Sequence, residues 1–203
     1  MKRTLAFAAS LLLLGACSSD GYTIRGKIAG LDNPYVYLLR YTGEVEVIDS
    51  AKVTKGDFVF KGKAEQPEVV YLSTDKQQPF VHFFLENGRI SVDGALSAPA
   101  DIAVLGTPSN DIQRAFDEQI AALEEEFAKA GNDMQRDSLR KEYSKLMSDA
   151  VEMNRDNIYG VTTFLNNAYA FLSPEEVMEQ IALFPAEWQQ RRELTELREA
   201  TER

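Results

Sequence analysis

Tyr22-Thr23-Ile24-Arg25-Gly26-Lys27-Ile28 is the stretch that decides the fold. Its apolar and polar residues alternate, so as a strand it turns Tyr22, Ile24 and Ile28 to one face and Thr23, Arg25 and Lys27 to the other, the pattern of a half-buried sheet. The same texture recurs downstream. After a break at residues 30–34, strand-like runs occupy residues 35–39, 45–53, 58–62, 69–73, 80–85, 90–93 and 102–105. Lys55-Gly56-Asp57 marks one turn, and Asn87-Gly88, which accepts positive φ cheaply, predicts a tight hairpin between two of the later strands. Phe58 and Phe60 supply a core face. Seven or eight short strands with no helix between them predict an antiparallel β-sandwich or a partly closed barrel over residues 22–107.

Beyond that point the period changes. Ile112, Phe116, Ile120, Leu123 and Phe127 recur at three and four, laying one apolar stripe along a helix capped by Ser109 or Asn110 and ended by Gly131 and Asn132. Leu139, Tyr143, Leu146, Ala150 and Ile158 mark a second helix, broken near Gly160. Phe164, Leu165, Ala168 and Tyr169 mark a third. Ser173-Pro174-Glu175-Glu176 combines a cap, a first-turn proline and a reciprocal glutamate ahead of Val177, Ile181 and Phe184. A last helix from near Pro185 carries Trp188, Leu194 and Leu197. The fold class is therefore α+β in two parts, with an all-α segment of four or five helices over residues 109–203. Core packing between helices explains these apolar positions without any cofactor slot.

The N-terminus has a different logic. Lys2 and Arg3 precede an apolar run at residues 5–14, and Gly15 and Ala16 are the small residues that a signal peptidase requires. The run is shorter than the ~20 apolar residues of a membrane span. Leu14-Gly15-Ala16-Cys17 resembles the bacterial lipobox. That resemblance implies cleavage between Ala16 and Cys17, a signal peptide at 1–16, acylation of Cys17 and a short tether at 17–21. More than one acyl chain is needed for stable anchoring, and a lipoprotein Cys17 carries three. The alternative is a plain secretory signal with an incidental cysteine. We prefer the lipoprotein because basic head, apolar core, small residues and cysteine follow in the right order at the right distance. The expected location is the cell envelope, with the protein anchored to the outer or inner membrane and facing the periplasm or the cell surface.

Cys17 is the sole cysteine and the net charge is −10. Once Cys17 is lipidated, this chain alone builds no disulfide, no thiol–disulfide exchange and no Cys-ligated metal site. The acidic balance argues against nucleic acid and against electrostatic adhesion to anionic lipid, leaving a solvated exported surface.

Motifs for catalysis are absent from the sequence. His82, the only histidine, shares a predicted strand face with Phe80 and Phe84 and reads as a partly buried or edge residue. No serine stands in an elbow motif to pair with it, and one histidine cannot assemble a zinc site. Gly56 and Gly62 flank a strand and no helix follows to cradle a phosphate. Glu124, Glu125 and Glu126 point to different azimuths of a helix and read as a solvated face. Asp49 and Asp57 could meet across a hairpin. We therefore expect no catalytic residue, no metal and no cofactor.

One resemblance covers residues 22 to about 130 well and the rest loosely. Tyr22–Ile28, Val36-Tyr37-Leu38, Ile48-Asp49-Ser50-Ala51, Gly56 through Gly62, Pro67 ahead of Val70-Tyr71-Leu72, Phe83 through Gly88, and the step from Gly106 to Asn110 resemble an uncharacterised lipoprotein domain of the DUF4369 type. Such domains sit at the N-terminus of exported thioredoxin-like proteins related to thiol–disulfide oxidoreductases and peroxiredoxins. The resemblance implies that a thioredoxin fold with a Trp-Cys-x-x-Cys site would begin about where Arg203 lies, so none of that module's redox residues carries over. The expected function is a non-catalytic, membrane-anchored binding or docking module whose envelope partner is a small ligand or a thioredoxin-like protein. The competing expectation is an accessory or shortened member of a thiol–disulfide system, or a hydrolase acting through carboxylates around His82. A sheet edge, such as the first strand, is a further place where another chain could pair.

Overall fold

The computed structural model describes residues 20–168 and 172–203. Ala16, Cys17 and the rest of the N-terminal segment lie outside the described residues, as does Tyr169. The strands are β1 (Tyr22–Ala29), β2 (Tyr35–Tyr41), β3 (Val45–Lys52), β4 (Asp57–Gly62), β5 (Glu68–Ser73), β6 (Pro79–Leu85), β7 (Gly88–Ala95) and β8 (Ala103–Leu105). They form two four-stranded sheets, ordered β4-β1-β7-β8 and β3-β2-β5-β6. The sheets face one another as a sandwich and do not close into a barrel.

The alternation in β1 does what its period requires. Tyr22, Ile24, Gly26 and Ile28 are buried while Arg25 and Lys27 are exposed. Phe58 and Phe60 from β4, Val36 and Leu38 from β2, Val70 and Leu72 from β5, Phe83 and Leu85 from β6, and Ile90 and Val92 from β7 complete the core. The β3–β4 connection is a two-residue turn at Lys55 (φ 54°) and Gly56 (φ 84°), closed by paired bonds between Thr54 and Asp57. A side chain at Gly56 would also meet the Ile28 carbonyl at 2.4 Å, so both backbone angle and proximity demand glycine.

Three sequence expectations about the sheets are corrected. Asn87-Gly88 is not a hairpin: β6 and β7 lie in different sheets, and the step carries the chain across the sandwich. Its asparagine instead mimics a peptide, accepting from the Ala64 N–H at 2.9 Å and donating to the Ala64 carbonyl at 2.8 Å. Pairing is not wholly antiparallel, since β1 runs parallel to β7 from Tyr22↔Gly88 to Ala29↔Ala95. That pairing encloses β1 between β4 and β7, so the first strand is interior and offers no free edge.

The helices are α1 (Pro108–Lys129), α2 (Asp133–Glu152), α3 (Ile158–Thr163), α4 (Pro174–Ala182), α5 (Ala186–Gln189) and α6 (Arg192–Thr201), with a π-helical turn at Phe164–Ala168 continuing α3. The predicted second helix is two. Asn157 caps a fresh start by accepting from the Gly160 N–H, so Ile158 opens α3 rather than ending α2. Gly160 lies inside α3, not at a break, and is a glycine because a Cβ there would fall 1.9 Å from the Asn154 carbonyl oxygen. The predicted last helix also divides, with Arg191 between α5 and α6. The capping box at Ser173 and Glu176 forms as expected. Ser109 and Asn110 do not cap α1; Thr107 holds that position, its side chain accepting no bond from the backbone of the first turn, and both predicted caps are buried and turned to the sheet.

Asn110 ties the two parts together. It accepts from the Phe84 N–H at 2.9 Å and donates to the Phe84 carbonyl at 2.8 Å and to Thr107 Oγ1 at 2.7 Å. Since β6 is a sheet edge, this amide stands in for the missing neighbouring strand and satisfies groups that would otherwise be open. Ser109 reinforces the joint by donating its hydroxyl to Glu86 at 2.8 Å.

Candidate functional site

A cavity of about 700 Å³ opens where the two parts meet. Its sheet wall carries Val69, Tyr71 and His82 from β5 and β6. Tyr41 and Arg40 stand at the end of β2, and Lys63 and Ala64 line it from the β4–β5 connection. Its helical wall is built by Ile158, Val161 and Leu165 along α3 and its π turn, and by Arg191, Arg192 and Glu193 at the start of α6. The volume falls in the range of ordinary small-molecule sites, roughly 300–1,000 Å³.

The helical wall is fixed by aromatic contacts. Tyr159 stacks on Phe116 at 5.5 Å and meets Phe84 edge-on at 6.1 Å, joining α3 to α1 and to β6. Behind the wall, Phe164 and Phe184 pack at 5.6 Å within a cluster that includes Val161, Val177, Ile181 and Leu194. The sheet wall is held electrostatically. Arg40 donates through Nη2 to Glu68 at 2.7 Å and through Nη1 to Glu46 at 3.2 Å, and its Nε also bonds Glu68. The Glu68 carboxylate holds the Arg40 guanidinium above its usual range. This two-pronged pair leaves Glu68 engaged as a structural counter-ion. Tyr41 meets Tyr71 edge-on at 4.7 Å. Burial raises the phenols of Tyr22 and Tyr71, which therefore stay protonated and neutral at physiological pH.

Residues singled out in the sequence are dispersed by the fold. His82 is exposed on the edge strand β6 and lies in the cavity wall, 6.1 Å from the Tyr71 ring. It does not share a face with Phe80: the register shift at Leu72/Ser73 sends Phe80 toward the sandwich core, whereas Phe84 packs on the helices. Asp117 on α1 is the carboxylate that senses His82. Partial desolvation raises it, and His82 and Arg114 oppose that rise, while the residue keeps solvent contact. Asp49 and Asp57 do not pair, since β3 and β4 belong to different sheets. Glu124, Glu125 and Glu126 are exposed, with Glu125 bonded to Lys129 at 2.6 Å. Among the described residues no group of three His, Cys, Asp or Glu side chains could hold a metal ion, and no helix is long and apolar enough to cross a membrane.

Arg191 and Asn110 are what the sequence reading missed. A signal for Arg191 existed: Arg191-Arg192 begins a helix, where the dipole and open N–H groups favour acidic or small acceptor residues. Asn110 gave no such signal, because an asparagine at a helix start is most simply a cap.

Residues 22–113 match the family model described as Domain of unknown function (DUF4369). This stretch is a DUF4369 domain. The DUF4369 domain takes in the whole sandwich and ends in the first turns of α1, just past Asn110. The cavity is therefore shared, its sheet wall from the DUF4369 domain and its other wall from the helices that follow. No curated protein and no solved structure is significantly similar to the chain.

Tyr159 gives the shared wall a pH signature. Burial pushes its phenol up to about 12, with Asp117 and Tyr143 adding to the rise and the Thr163 hydroxyl opposing it. An unfolded tyrosine titrates near pH ~10. The folded state holds this proton more tightly, so its stabilisation is complete below about pH 10 and is lost as pH rises from there toward about 12. Unfolding followed by denaturant at stepped pH is expected to show that alkaline decline, and Tyr159→Phe to flatten part of it. An unchanged slope in the variant would place the decline elsewhere.

Proposed function

We propose that this protein is a non-catalytic binding module, held at a membrane of the cell envelope by acylation of Cys17, whose cleft between the DUF4369 domain and the helices receives a ligand. The observation that carries the binding half is the cleft itself: a cavity of about 700 Å³ that neither part forms alone, lined by aromatic, apolar and charged side chains together. Its chemistry supports binding over turnover. Glu68 is engaged by Arg40, and among the described residues no nucleophile is hydrogen-bonded to His82. The anchoring half rests on the order of head, apolar core and Leu14-Gly15-Ala16-Cys17 in the sequence.

The test has two arms. Cys17→Ser is expected to abolish incorporation of labelled palmitate and move the protein from the membrane pellet to the soluble fraction; a variant that stays fully in the pellet overturns the lipid anchor. Asn166 is exposed and lines the cleft, so Asn166→Trp obstructs part of the cleft at little cost to folding. Immobilised full chain incubated with envelope extract of its own host is expected to retain a compound that Asn166→Trp does not. Retention of a thioredoxin-like protein, equal in both, would instead favour docking outside the cleft.

A further inference from the structure

Arg191 is a buried cation with too few partners. Its side chain is 7 % exposed. Among the described residues its Nε has no hydrogen-bond acceptor. Nη2 makes one long contact, 3.4 Å to the Glu193 carboxylate, which is 38 % exposed. The guanidinium otherwise lies over the Trp188 ring, 5.3 Å from its centre. Arginine cannot discharge itself by losing a proton, and burying a charge is unfavourable until a counter-ion meets it.

The surroundings add to this potential. Arg191 is the N-cap of α6 and its side chain does not cap the first turn, so the positive end of the helix dipole lies beside the guanidinium. Lys63 lines the same cavity and makes no ion pair among the described residues. On the opposite wall Arg40 is already matched by Glu68. The buried unmatched charge is thus that of Arg191, at the start of α6, while Tyr71, Ile158, Val161 and Leu165 give the cleft an apolar and aromatic surface.

Resting on the reading of the cleft as a binding site, we infer that its ligand is an organic carboxylate, the carboxylate held by Arg191 at the start of α6 and the apolar body lying against Tyr71 and α3. A planar fork of N–H donors fits a planar carboxylate, and the loose Glu193 contact is a partial, displaceable version of that pair. Glu65 and Glu193 in the lining disfavour a dianion, which they would repel.

The probes are phenylacetate and its neutral isostere phenylacetamide, added to the full chain at constant ionic strength, with binding followed by calorimetry and thermal melting. Phenylacetate is expected to bind about tenfold or more tighter than the amide and to raise Tm in proportion to occupancy. Arg191→Leu is expected to melt no lower than the parent and to lose that preference. Glu193→Gln removes the competing carboxylate from a half-exposed position and is expected to bind phenylacetate several-fold tighter. Equal binding of acid and amide, unchanged in Arg191→Leu, would overturn the carboxylate assignment and leave the cleft as a binding site. Weaker or unchanged binding in Glu193→Gln would also overturn the assignment. Binding of neither probe would overturn the carboxylate assignment, while the binding reading stands or falls with the compound that Asn166→Trp fails to retain.

Discussion

Asn110→Leu is expected to destabilise the protein by roughly 3–5 kcal/mol, more than any surface change and as much as losing a large core side chain. The side chain is 2 % exposed and makes three hydrogen bonds, two of them to both polar groups of Phe84. Leucine would leave the Phe84 N–H and carbonyl buried and unanswered on the outer side of an edge strand, at about 1–3 kcal/mol for each unsatisfied group. The failure should also be directional. Because Asn110 fastens α1 to β6, hydrogen exchange in the variant should quicken at Phe84 and in the first turns of α1 before it quickens in β1 or β2. Uniform acceleration across both sheets would show that the clamp is an ordinary core contact and not the joint between two parts.

Phe83→Ala should cost about 3–5 kcal/mol by the usual penalty for deleting a buried aromatic. Phe83 is fully buried in the sandwich core with Phe60, Leu72 and Ile90. Its neighbour Phe84 points the other way, onto Ala150, Ile158 and Tyr159. Alternation along β6 thus sends adjacent aromatics into different clusters. Denaturant unfolding of Phe83→Ala should show a lowered midpoint with an unchanged m-value. A loss below about 1 kcal/mol would mean that the sandwich repacks around the hole.

How far these features were legible follows from the range of the interactions that make them. β1 was legible because its alternation is local and its burial strict. The Lys55-Gly56-Asp57 turn was legible for the same reason, and the Ser173 box because its members are three residues apart. Asn87-Gly88 misled because permissive backbone angles serve a crossing between sheets as well as a hairpin; only the long-range pairing of β1 with β7 decides between them. Gly160 misled in the opposite sense: its cause is the Asn154 carbonyl packed against it, and a contact between α3 and the α2–α3 connection leaves no periodic trace. The cleft was least legible of all. His82 stands out in the sequence as the only histidine, and Tyr71 opposite it is set by the β5–β6 pairing, but Arg191 lies 109 positions away and joins the cleft only when the helices fold back on the sheet.

The central claim is that the cleft shared by the DUF4369 domain and the helical segment is where this protein binds. The most direct measurement is native mass spectrometry of the full chain released gently from its own host's membranes, run beside Asn166→Trp prepared in the same way. A discrete non-covalent adduct of small-molecule mass on the parent, absent from the variant, is the expected result. A bare parent chain, or the same adduct on both proteins, would contradict the claim.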